Sequence, residues 1–224
     1  MSEDLHNFRV QAAKCSGGTS RNETKQLVLR IMKLHGVSGK ILDFGAGIGE
    51  LIKLLAQNSG LELSAADILD RPHDLPEHVT WYHQDLNEQL SVEGHFDAVI
   101  CSEVIEHLEN PRAIFRNIGA VLKRNGKLIL TMPNQENIRS FLTLMFRGHF
   151  ASFMGSEYPA HITALLRMDL KRICRETGFS DPVYFYTDYG WMPITNMSWQ
   201  QFSFNLVGGR LFSDNLGMIV EKRT

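Results

Sequence analysis

The sequence predicts a doubly wound α/β fold, and three observations carry that prediction. Short apolar runs alternate with longer stretches of helical periodicity over most of the chain. The apolar runs lack strict polar alternation, as strands buried on both faces of a parallel sheet do. The segment ILDFGAGIGE, residues 41–50, has the order strand, glycine turn, start of a helix.

The elements follow in order. Residues 1–36 form an N-terminal helical region, in which Ser20 and Glu23 have the spacing of a capping box and Leu27, Ile31 and Leu34 fall on one face. Strand-length runs occupy 40–45, 61–67, 79–85, 96–101 and 127–132. Asn110 and Pro111 suit the N-cap and first position of a helix whose apolar side is Ile114, Phe115, Ile118 and Leu122, with Asn125-Gly126 as its stop. Residues 134–165 begin as a helix and continue as an aromatic- and histidine-rich connection, the longest break in the alternation. A helix over 167–177 ends at Gly178, and strands are expected near 183–188 and 217–222. Between those strands, 197–212 is aromatic-rich and has no clear period.

A chain of 224 residues with 43% hydrophobic and 21% charged residues is long enough for one domain, with 134–165 as an insertion or lid. A net charge of −2 gives no long-range attraction for nucleic acid, so a DNA partner is not expected. Cys15, Cys101 and Cys174 form neither a zinc spacing nor a disulfide framework, which favours a reducing compartment. The N-terminus MSEDLHNFRV lacks the signature of a signal peptide. No apolar run reaches the ~18 residues of a membrane span. The expected location is cytoplasmic.

Glycines 45, 47 and 49 lie between a strand and a helix N-terminus, where backbone can approach a ligand. A dinucleotide fingerprint, G-x-G-x-x-G, would need glycine at position 50, which is Glu50. Three acids close successive strands instead. Asp43 can face an ammonium, Asp67 is placed for a ribose diol, and Asp85 can meet an adenine amino group. An ammonium, a ribose and an adenine without a pyrophosphate describe S-adenosylmethionine better than NAD.

ILDFGAGIGE resembles the first motif of class I S-adenosylmethionine-dependent methyltransferases, and FDAVICSEVIEHLENP resembles their motif at the fourth strand. GKLILTMPN and DLKRICRETGF are similar to the fifth strand and the late helix of that family. The resemblance spans about residues 20–190. It implies a seven-stranded, mostly parallel Rossmann-like sheet with the last strand antiparallel. By position it puts Asp43, Gly45, Ala46 and Gly47 around the methionyl part, and Asp67 with Ile68 at the ribose. It puts Asp85 and Leu86 at the adenine, and Cys101 with Ser102 on the cofactor's floor.

A helical turn beginning near Ser102 would place Glu103, Glu106 and His107 on one face at a strand's carboxyl end. Two carboxylates and an imidazole there can hold a divalent ion (Mg²⁺, Mn²⁺ or Zn²⁺) that lowers the pKa of an acceptor hydroxyl. Without a metal, His107 can itself act as general base, or the acids can simply suit a helix start. E-x-x-E-H looks like the metal motif of ubiquinone-pathway O-methyltransferases and of small-RNA 2′-O-methyltransferases, with His161 or His149 as a further ligand. The lack of a basic patch argues against an RNA acceptor. The expected reaction is O-methylation of a small phenol or quinone precursor, sugar or lipid, with a non-catalytic cofactor-binding protein as the alternative. Arg139 and Arg147 can recognise an acidic substrate group. Segment 197–212 can meet a lipid-like substrate or the partner of a homodimer.

Overall fold

In a computed structural model, residues 3–92 and 94–223 are described. Met1 and Ser2 of the expected N-terminal helical region therefore lie outside the described residues. That region holds two helices, α1 (Glu3–Cys15) and α2 (Asn22–Leu34). The Ser20–Glu23 capping box does not form. Arg21 is the N-cap in extended backbone, without a side-chain cap bond. The buried face of α2 is Leu27, Val28, Ile31 and Met32, whereas Leu34, the last residue of the helix, is exposed.

Seven strands make one sheet: β1 (Gly39–Phe44), β2 (Leu61–Asp67), β3 (Thr80–His83), β4 (Phe96–Ser102), β5 (Leu122–Pro133), β6 (Val183–Tyr186) and β7 (Asn215–Glu221). Their spatial order is β3-β2-β1-β4-β5-β7-β6, and only β7 runs antiparallel to its neighbours. The order reverses between β1 and β4, which opens a crevice at the carboxyl ends of those strands. Strands β1, β2, β4 and β5 bury nearly every residue at their carboxyl halves, in keeping with helices on both faces.

Two apolar cores flank the sheet. One packs α2 and α3 (Glu50–Leu55) through Val28, Ile31, Leu51 and Ile52 against Ile41, Leu63, Ile100 and Ile129. The other packs α4 (Pro111–Val121) and α6 (Arg167–Glu176) through Ile114, Phe115, Leu170 and Ile173 against Leu42, Val99, Leu128 and Met218. Asn110 caps α4 as expected, its side chain accepting from Ala113 N. The helix stops at Val121, however, before Asn125-Gly126. Leu122 pairs with Phe96 and already belongs to β5. Asn125 takes a left-handed φ of 61° within a register shift between β4 and β5.

Beyond β5, α5 (Ile138–Arg147) is capped by Asn137 and terminated by Gly148. The rest of 134–165 is irregular except for a 3-10 turn at Gly155–Glu157. Segment 197–212 contains the short helix α7 (Trp199–Phe202) and a 3-10 turn at Arg210–Phe212. A capping box that the periodicity did not reveal forms here, between Ser198 and Gln201. No helix among the described residues is long and apolar enough to cross a membrane.

Candidate functional site

The crevice is a cavity of about 300 Å³, large enough for the smaller end of ligand pockets. The glycine turn forms its floor near β1. Gly45 and Gly47 have φ of 86° and 55°, a region open to glycine. A Cβ on Gly45 would lie 2.3 Å from Val104, and one on Gly47 would lie 2.1 Å from Gly18 O. The glycines therefore serve chain-to-chain contact as much as ligand approach. Ile48 N donates to Gly18 O, which ties the turn to the segment joining α1 and α2.

Asp67 ends β2 with both carboxylate oxygens in use: Oδ2 accepts from Gly47 N and Oδ1 from Leu69 N. Each oxygen retains a lone pair for a hydroxyl donor. Asp43, at the end of β1, is buried and lines the cavity, yet its Oδ2 has no hydrogen-bond partner among the described residues. Burial, and secondarily repulsion from Asp67, raises its carboxyl to about 7. Ala46, Ile68 and Leu86 also line the cavity.

Asp85 lies in the wall, already engaged. Its Oδ2 accepts from Arg9 at 2.9 Å, and its Oδ1 from Asn87 N. Arg9 also bridges to Glu88 and Glu109, fastening α1 across this end of the cavity. No local pattern placed α1 at the site, because Phe8, Arg9, Ala12 and Ser16 reach it only once the helix folds back. Cys101 is not brought into the cavity. It is fully buried in the second core, and burial holds its thiol well above the usual range. Ser102 does face the cavity and shares a hydrogen bond with Thr131.

The expected helical turn from Ser102 is replaced by a sharper bend. Glu103 has a left-handed φ of 57°, and only Ile105–His107 forms a 3-10 turn. The two glutamates gain different partners, yet stay close enough for the charge of Glu106 to raise the Glu103 carboxyl. Glu103 accepts from the Asn215 side chain at the start of β7, while its backbone lies against the His107 ring. Among the described residues, the group of potential ligands consists of Glu106, His107 and His161, without Glu103. Those three offer ligand atoms within 4.8 Å of one another.

Residues 160–163 hold that group together. Ile162 N and Thr163 N both donate to Glu106 O at 2.9 Å, and His107 Nδ1 bonds Ala160 O at 2.8 Å. His161 Nδ1 bonds Ser152 O. With each Nδ1 donating its proton to a carbonyl, each neutral ring leaves Nε2 unprotonated, and the His107 ring also lies against the Glu103 backbone carbonyl. Burial lowers the pKa of both imidazoles, so both are neutral near pH 7. Burial raises the carboxyl of Glu106, and Glu103 is raised further by burial and by Glu106. Glu106 Oε2 and Glu103 Oε1 have no partner among the described residues. His149 bonds Phe150 O and does not line the cavity.

A family model described as "Methyltransferase domain" matches residues 18–181. The chain belongs to that methyltransferase family. Its matched part covers the glycine turn, all three strand-end acids and the Glu106–His107–His161 group, and stops before β7. A ubiquinone biosynthesis O-methyltransferase of Xanthomonas axonopodis pv. citri is 31% identical over 152 residues, covering 60% of this chain and 63% of that protein. The chain thus spans somewhat less than two thirds of that relative's length. Among solved structures, the methyltransferase domain is similar to a 1,6-didemethyltoxoflavin-N1-methyltransferase of Burkholderia thailandensis, with a TM-score of 0.62 at 15% identity over 98% of this chain and 88% of that one. It is also similar to a SAM-dependent methyltransferase of Archaeoglobus fulgidus, with a TM-score of 0.58 at 18% identity over 88% and 94% of the two chains. At these identities the structural likeness concerns the fold.

Proposed function

We propose that this protein transfers the methyl group of S-adenosylmethionine to a hydroxyl of a small-molecule acceptor. The observation that carries the reading is a set of three buried carboxylate oxygens without partners, on Asp43, Glu103 and Glu106, all lining one cavity. An unmatched buried carboxylate is costly, and a bound ligand with matching donors removes that cost. Asp43 fits the cofactor's ammonium, and Asp67 fits its ribose hydroxyls. Asp85 acts on the adenine side through its pairing with Arg9. The solved relative from Burkholderia, which holds S-adenosylhomocysteine, and the curated O-methyltransferase relative support the same reading.

The sulfonium methyl is already activated, so the protein's task is alignment and exclusion of water. Such positioning contributes ~7–11 kcal/mol toward the barrier. A hydroxyl acceptor must also lose its proton. His107 suits that task as a neutral imidazole that lines the cavity, with Nδ1 anchored on Ala160 O. The lid role expected for 134–165 belongs to this reading as well, because Ser152, Pro159 and His161 of that segment line the cavity.

The proximity of Glu106, His107 and His161 favours a second reading of the same step. These residues fit a divalent ion, with the partnerless Glu106 Oε2 as its anionic ligand. When bound, such an ion would supply Lewis acidity that makes the acceptor hydroxyl easier to deprotonate. Elemental analysis and chelation separate the readings, since activity that survives thorough chelation leaves His107 as the base.

The function is tested by thermal protection and by a methyl-transfer screen. S-adenosylhomocysteine should raise the unfolding temperature, and labelled methyl should pass to a phenolic, sugar or lipid acceptor. Stronger protection by NAD than by S-adenosylhomocysteine would overturn the assignment. Cofactor binding without transfer to any acceptor class would favour a non-catalytic binding protein.

A further inference from the structure

The cavity has a second polar corner that the cofactor acids and His107 do not use. Arg21, the N-cap of α2, and Arg139, in the first turn of α5, both line it and both approach Asp214, just before β7. Their Nη1 atoms lie 3.6 and 3.7 Å from the same oxygen, Asp214 Oδ2. Those separations are ion pairs beyond hydrogen-bond length. Among the described residues, neither guanidinium donates a hydrogen bond to a protein acceptor. Asp214 Oδ2 accepts instead from Trp191 N at 3.2 Å.

Two cations thus share one carboxylate, leaving the corner with a net positive charge and its guanidinium donors unspent. Asp214 sits at the back, with its side chain 13% exposed, while those of Arg139 and Arg21 are 34% and 57% exposed. The next residue, Asn215, donates to Glu103, which places this corner beside the carboxylates near the expected methyl position. Glu103 also feels the charge of Arg21, while burial and Glu106 push its carboxyl up. Planar guanidinium forks with open donors match carboxylate and phosphate oxygens.

We infer that Arg21 and Arg139, held by Asp214, form an oxyanion subsite that selects methyl acceptors carrying a carboxylate or phosphate group. Resting on the methyltransferase reading, this narrows the acceptor from any small hydroxyl compound to an anionic one. Arg147, the other arginine expected to read an acid, does not line the cavity.

The test is calorimetric titration of the S-adenosylhomocysteine-loaded protein with benzoate, phenyl phosphate and neutral benzamide. At least one anion should bind about tenfold or more tightly than benzamide, and both R21Q and R139Q should lose most of that preference. Preference for benzoate identifies a carboxylate site, and preference for phenyl phosphate identifies a phosphate site. Equal binding of all three probes, or an anion preference untouched in both variants, would overturn the inference. So would weaker S-adenosylhomocysteine binding in either variant with the preference retained, because that guanidinium would then serve the cofactor. Failure of the wild type to bind S-adenosylhomocysteine at all would instead sink the methyltransferase reading, so the two failures are distinguishable.

Discussion

The cavity has two halves built on different principles. Around β1 and β2, polar groups are mostly satisfied by nearby backbone: Asp67 accepts from Gly47 and Leu69, and the glycine turn is braced by Gly18. Around the ends of β4 and β7, groups meet from distant parts of the chain and leave more capacity open. His107 is oriented by Ala160, Glu103 by Asn215, and Asp214 by Trp191. The first half suits a constant ligand held in one pose. The second suits a variable acceptor, because Glu103 and Glu106 keep buried oxygens without partners among the described residues and the Arg21 and Arg139 guanidiniums line the same cavity.

That contrast can be broken most sharply at His107. If the second half carries the chemistry, His107→Ala should lower turnover by ~10²–10⁴-fold with little change in S-adenosylhomocysteine affinity. Wild-type activity should rise with pH through the depressed imidazole pKa and then level, because the base works in its neutral form. A large loss of cofactor affinity in the variant would assign His107 to the other half.

Gly47→Ala tests the bracing of the first half. Its Cβ would meet Gly18 O at 2.1 Å in a left-handed backbone, so unfolding free energy should fall by about 3 kcal/mol in urea titrations. An unchanged midpoint would show that the segment joining α1 and α2 moves aside freely.

Asp43 offers a test by pH. Its carboxyl is raised from 3.8 to about 7, so the empty folded protein binds this proton more tightly than the unfolded chain. This group therefore costs the empty protein stability as pH rises through that window. A cofactor ammonium favours the ionised form, so S-adenosylhomocysteine affinity should climb with pH toward about 7 and then level. Asp43→Asn should flatten the climb, and a profile unchanged by that substitution would remove Asp43 from contact with the ammonium.

The smallest effect is expected on the outer face of α5. Phe146 is 76% exposed, so Phe146→Ser should change stability by no more than about 0.5 kcal/mol. A larger loss would reveal that the acceptor half is packed more firmly than its surface suggests.

The sequence by itself determined the sheet and the acids around the ends of β1 and β2. Strand length, absence of alternation and the glycine turn are local signals, and they put Asp43 and Asp67 at the ends of β1 and β2 and Asp85 just past the end of β3. Leu122 went astray because helical spacing continued past the helix, while pairing with Phe96 drew the residue into β5. The acceptor half required the tertiary structure. A backbone reversal at Glu103 left that residue outside the Glu106–His107–His161 group, and the docking of 160–163 onto Glu106 made His161 rather than His149 its third member. Arg9, Arg21 and Asp214 carry no local motif at all, and they share one cavity only because α1, α2 and β7 converge on the same end of the sheet. Periodicity records which face of an element is buried, whereas convergence of distant polar groups depends on how those elements pack, and no single stretch of sequence encodes it.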